Sequence, residues 1–114
     1  MSSVAQLQKA EQIQVLNDIL RTTFVGGRVM LTAGVDALPV NAKASLLAAV
    51  RSFNTFTEDN DPQGEHDFGV IELDAERFFW KIDYYNLTLD GGSEDPASVT
   101  KTARVLTIMR AEEY

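Results

Sequence analysis

The sequence predicts an α+β fold, with two helices packed on a small antiparallel sheet in the order helix-strand-helix-strand-strand-strand. Three observations lead there. Apolar residues recur at helical spacing through much of the first half, alternate at a two-residue period in the second, and the polar run Thr57 to Gly64 (TEDNDPQG) separates the two patterns. At 114 residues, with 45% hydrophobic and 24% charged side chains, the chain can build one core and has little room for another. We therefore read residues 1–114 as a single domain, with a flexible N-terminus at about residues 1–3 and an exposed acidic loop at 57–67.

Between Val4 and Phe24, Ile13, Leu16, Ile19 and Leu20 fall on one broad helical side, Ser2 or Ser3 can cap the start, and Gly26-Gly27 ends the helix. Arg28 to Ala33 is short and apolar before Gly34, as a buried strand would be. Pro39 and Asn41 start a second helix in which Leu46, Val50 and Phe53 recur, ending near Phe56. Phe68 to Leu73 and Phe78 to Tyr85 read as a hairpin around Asp74-Ala75-Glu76-Arg77, in a register that pairs Leu73 with Phe78. That register puts Ile71, Leu73, Phe78, Trp80, Ile82 and Tyr84 on the core face. The other face carries His66, Phe68, Val70, Glu72, Phe79, Lys81, Asp83 and Tyr85, with a helix expected to cover its aromatics. The last segment, TARVLTIMRAEEY, alternates as a strand, with a helix after Asp95-Pro96 as its competitor.

The blocks VMLTAGVDALP, FTEDNDPQGEHDFG, RFFWKIDYYN, GGSEDP and RVLTIMRAEEY, in this order from about Ile13 to Tyr114, resemble the bacterial family catalogued as domain of unknown function 3768. The resemblance implies a small stand-alone bacterial protein carried on plasmids and other mobile elements among accessory genes, some of them related to evading host defence. It implies no reaction and defines no catalytic residue.

The formal net charge is -7 and unevenly placed: residues 1–57 carry five basic and three acidic side chains, residues 58–114 five basic and fourteen acidic. Such a surface repels phosphate, so direct nucleic-acid binding is disfavoured. No apolar run reaches the roughly 20 residues a bilayer demands, and the first residues lack a basic-then-apolar leader, which gives the expectation of a cytoplasmic protein without a membrane span. The absence of cysteine removes thiolate nucleophiles, disulfides and cysteine-ligated metals.

Two constellations carry possible chemistry. Asp59-Asn60-Asp61-Pro62-Gln63-Gly64 looks like half of a calcium loop, but the position where a bidentate Glu belongs is Val70. His66 is the sole histidine, and the expected register sets it beside Asp83 and Tyr85, the pairing an acid-base site would need. No cofactor is implied. The acidity of the second half favours a non-enzymatic module or inhibitor that offers Glu58, Asp59, Asp61, Glu65, Asp67, Glu72 and Asp74 to a basic protein surface. The alternative is a small acid-base or metal-assisted enzyme using His66, Asp83 and Tyr85.

Overall fold

Trp80 organises the core. It is fully buried, with the rings of Phe53 and Phe56 standing edge-on at 5.4 and 6.1 Å, and its indole lies across Gly69, where a Cβ would come within 2.3 Å of Nε1. In this computed structural model, which describes residues 4–114 and side chains from Gln8 onward, the elements are α1 (Val4–Thr23), β1 (Arg28–Leu31), α2 (Ala33–Asp36), α3 (Val40–Ser52), β2 (Phe68–Leu73), β3 (Glu76–Tyr85) and β4 (Ala103–Arg110). The fold is α+β, as the patterning predicts. The expectations of a cap at Ser2 or Ser3 and of a flexible segment 1–3 lie outside the described residues.

The sheet order is β1-β4-β3-β2. The sheet is mixed and not, as the patterning predicts, antiparallel throughout: β1 pairs with β4 in parallel, while β2-β3 and β3-β4 are antiparallel. The reason is the α3 crossover. It carries the chain from one edge of the sheet to the other with β1 and β2 pointing the same way, and two reversals then bring β4 back beside β1. No residue pattern inside β1 reveals which neighbour it will find.

The C-terminal segment is a strand, and it completes the inner face with Leu106 and Ile108, both fully buried against Leu20, Val35, Leu46 and Val50. The second helix ends at Ser52 rather than Phe56, because Phe53 turns to extended backbone and lays its ring on Trp80. The β2-β3 turn is the two-residue Asp74-Ala75, both with positive φ (52° and 64°), so Leu73 faces Glu76 and Ile71 faces Phe78. The expected pairing of Leu73 with Phe78 is thus off by two residues. A slip of two leaves each side chain on its own face, and Ile71, Phe78, Trp80 and Ile82 are buried as expected.

The first helix departs from the expected stripe. Ile19 is 46% exposed, and the buried line is Ile13, Asn17, Leu20 and Arg21, with two polar residues inside it. On the outer face of the sheet no helix among the described residues covers the aromatics; Phe68 and Phe79 meet Tyr114 instead, at ring separations of 6.4 and 5.6 Å. No described helix is long and apolar enough to cross a membrane.

Candidate functional site

The acidic loop 57–67 is built in two layers. Its outer turn is closed by reciprocal bonds: Thr57 N–H donates to Asn60 Oδ1 (2.8 Å), Asn60 N–H to Thr57 Oγ1 (3.2 Å), and Asp61 N–H to the Thr57 carbonyl (2.8 Å). These are the local bonds that Thr, Asn and Asp make in turns, and they hold Glu58 and Asp59 in solvent. The inner layer turns toward the helices. Asp61, with a side chain only 6% exposed, accepts the His66 N–H through both oxygens (3.2 and 3.3 Å) and lies 3.7 Å from His66 Nε2.

His66 adopts a left-handed φ of 56°, which swings its ring to the helix side of the sheet. There it stacks on Phe56 (3.7 Å, 5°), while Nδ1 meets Asp18 of α1 at 2.9 Å. Asp18 also receives Arg21, whose guanidinium donates to the Val50 carbonyl at the end of α3 and lies 5.4 Å from the ring centres of Phe56 and Trp80. The loop, α1 and α3 are thereby tied together through one imidazole and one guanidinium.

Beside this chain lies a second network, centred on Asn17. Arg104 Nε donates to Asn17 Oδ1 at 2.7 Å, and because a guanidinium can only donate, the amide orientation is fixed. The Asn17 NH2 therefore faces Tyr84 OH (2.7 Å) and the Glu65 carbonyl (2.9 Å). Tyr84 OH is also 3.1 Å from Glu65 Oε1 and 3.4 Å from Asp67 Oδ2. Arg104 stacks over the Tyr84 ring and donates to the Pro96 carbonyl.

Burial sets the electrostatics. It raises the carboxyls of Glu65 and Asp67 above their ordinary range, with the neighbouring Asp61 charge acting in the same direction. It pushes the Tyr84 hydroxyl up, aided by the Asp67 charge, so that this oxygen keeps its hydrogen. It also lowers Arg104.

Of the expected partner-binding carboxylates, the structure brings Asp61, Glu65 and Asp67 together, but facing inward. Glu58 and Asp59 stay exposed at the loop's outer turn. Glu72 pairs with Arg77 at 3.0 Å, and Asp74 sits in the hairpin turn at the opposite end of β2. The grouping of His66, Asp83 and Tyr85 is corrected outright. Tyr84 points inward, so Asp83 and Tyr85 on either side of it point to the outer face, where Asp83 pairs with Lys81 at 2.9 Å, away from the inward-turned imidazole.

In the half calcium loop Asp61 is turned inward to the His66 N–H while Asp59 stays exposed in the outer turn. Among the described residues no three His, Cys, Asp or Glu side chains are placed to hold a metal ion. Asn17, Arg21, Tyr84 and Arg104 escaped the sequence reading as site residues. Their signal was nonetheless present: Asn17 and Arg21 share a helical stripe with Ile13 and Leu20, and Arg104 lies in phase with Leu106 and Ile108.

No curated protein and no solved structure gives a significant match to the chain. A family model does, over residues 31–113, a span that holds the acidic loop, Tyr84, Arg104 and strands β2 to β4 while α1 with Asn17 precedes it. On that match the chain belongs to the family described as "Protein of unknown function (DUF3768)".

Proposed function

We propose that this chain is a non-enzymatic interaction module that acts in the cytoplasm and presents Glu58 and Asp59 to a basic surface on another protein. The observation that carries this reading is the construction of loop 57–67: its base is fastened inward by Asp61, Glu65, His66 and Asp67, and its outer turn is closed by Thr57 and Asn60. Carboxylates held in place before binding lose less conformational freedom on association, which favours a specific contact over diffuse attraction. Asp74, exposed in the hairpin turn, adds negative potential that steers a basic partner without sharing the contact.

The partner class that fits is a protein whose basic surface normally takes nucleic-acid phosphate. Paired carboxylates can occupy such a surface, while the net charge of -7 keeps the chain itself off nucleic acid. With the mobile-element setting that the family resemblance implies, a nucleic-acid-binding defence complex is the proposed target. The inward turn of His66 away from Asp83 and Tyr85 supports this reading over an acid-base enzyme.

Capture from a bacterial lysate tests it. The chain should retain a specific partner at about 0.05 M salt, release it at about 0.5 M, and lose it to added double-stranded DNA. A double variant, Glu58→Gln with Asp59→Asn, that retains the same partner as the parent would overturn the proposal.

A further inference from the structure

The Tyr84 hydroxyl has one hydrogen to give and two lone pairs with which to accept. One lone pair is taken by Asn17, whose orientation Arg104 fixes. Two carboxylate oxygens then face the same hydroxyl, Glu65 Oε1 at 3.1 Å and Asp67 Oδ2 at 3.4 Å. The hydroxyl can donate to only one of them. If both carboxyls are ionised, the other oxygen meets a lone pair with no hydrogen between them, next to a like charge.

A single added proton resolves the geometry: one carboxyl accepts from Tyr84 while the other, protonated, donates into its remaining lone pair. We propose that Glu65 and Asp67 hold one proton between them across the Tyr84 hydroxyl, and that this proton clamps the base of loop 57–67 onto α1 and β3 in an acid-favoured, pH-sensitive fastening. The inference concerns the fastening of the loop and stands whether or not Glu58 and Asp59 meet a basic partner.

The neighbouring carboxylates act in the same sense. From the loop itself Asp61 acts on the pair, and behind Asp61 stand His66 and, through it, Asp18 and Arg21 of α1; β3 contributes Tyr84, with Asp83 on the far side; β4 contributes Arg104. Asp61 opposes a second negative charge, and so does Asp83 at Asp67. Arg104, bonded through Nε to Asn17 and through Nη2 to the Pro96 carbonyl, favours ionisation of Glu65, but burial of that carboxyl outweighs it. Two groups this closely linked release their protons as a pair, in two steps that belong to neither residue alone.

The remaining fastenings of the loop base do not need the proton. Gln14 donates to the Gly64 carbonyl (2.9 Å), Asn17 to the Glu65 carbonyl (2.9 Å), and Ile82 N–H to the Asp67 carbonyl (2.8 Å). Loss of the shared proton therefore loosens the side-chain clamp without unfolding the sheet.

The test is carboxyl carbon NMR on full-length protein labelled at Asp and Glu, with backbone relaxation of Gly64 and Glu65 measured in parallel between about pH 4 and about pH 8. The pair should titrate in two separated steps, the upper one clearly above the ordinary carboxyl range, and the loop amides should gain fast motion across the upper step. In Asp67→Asn the amide supplies the missing hydrogen at every pH, so the loop motion should lose its pH response. His66→Gln, which removes the imidazole as a source of the response, should keep it. Independent titration of both carboxyls in the ordinary range overturns the proposal, whether or not the variants fold, as does an Asp67→Asn loop that still loosens with pH.

Discussion

Asn17→Ala should be among the most damaging single changes on α1 that alter no apolar residue. Asn17 is fully buried and makes three bonds of 2.7 to 2.9 Å, so truncation strands Arg104 Nε and the Glu65 carbonyl and deprives the Tyr84 oxygen of its donor. A buried polar group left without a partner costs about 1–3 kcal/mol, more for a charged one, which puts the whole change at roughly 2–5 kcal/mol. A chain of 114 residues has a total stability of about 6–17 kcal/mol at the usual value per residue, so the loss is a large fraction of it. At about 4 °C per kcal/mol the midpoint should fall by roughly 8–20 °C. Urea unfolding followed by the fluorescence of Trp80, the sole and fully buried tryptophan, reads it directly. Tyr84→Phe, which removes one hydroxyl, should cost less, about 0.5–1.5 kcal/mol. An Asn17→Ala protein within about 0.5 kcal/mol of the parent, the range of ordinary surface changes, would refute the claim that this amide joins α1 to the loop and sheet.

Gly69→Ala drives a Cβ to within 2.3 Å of Trp80 Nε1 and 2.9 Å of Phe53, and should cost about 1–3 kcal/mol with a shifted Trp80 emission spectrum. Asp61→Asn weakens the two contacts to the His66 N–H and should lower the melting temperature measurably, whereas Glu58→Gln with Asp59→Asn should leave it unchanged within about 0.5 kcal/mol per site. Burial raises Glu65 and Asp67 above their reference values of 4.5 and 3.8, so the folded state binds protons more tightly than the unfolded one. Their contribution is full below those reference values and is lost as pH rises through the folded ones. The stability of Asp67→Asn relative to the parent should therefore increase with pH over that window, as measured by urea midpoints. Glu113, lowered by its bonds from Thr32 and the Arg110 and Gly34 N–H groups, acts with the opposite sign and is lost as pH falls.

The core of the fold was legible because it rests on periodicity: the alternation through Ile71, Phe78, Trp80 and Ile82 names the buried face whichever of two registers the turn selects. Strand pairing was not. The parallel partnership of β1 with β4 depends on a crossover of the whole chain, which no local pattern encodes. The candidate site was half legible. The position of the acidic loop follows from composition, but the direction of each carboxylate depends on which buried donors await it, and those donors come from α1, β3 and β4. His66 shows the difference most plainly. A strand residue at that position would face Asp83 and Tyr85; the left-handed turn before Phe68 sends it to Phe56 and Asp18 instead.

On the proposed function the outer turn of loop 57–67, and not acidity in general, meets the basic partner. Affinity for the captured partner should be compared across two charge-matched variants, Glu58→Gln with Asp59→Asn at the loop and Glu72→Gln with Asp74→Asn at the hairpin end. The loop variant should weaken binding by about tenfold or more, chiefly through faster dissociation, and the hairpin variant should change only the association rate and its salt dependence. Equal losses in the two variants, or a larger loss at the hairpin, would contradict a contact made by the outer turn.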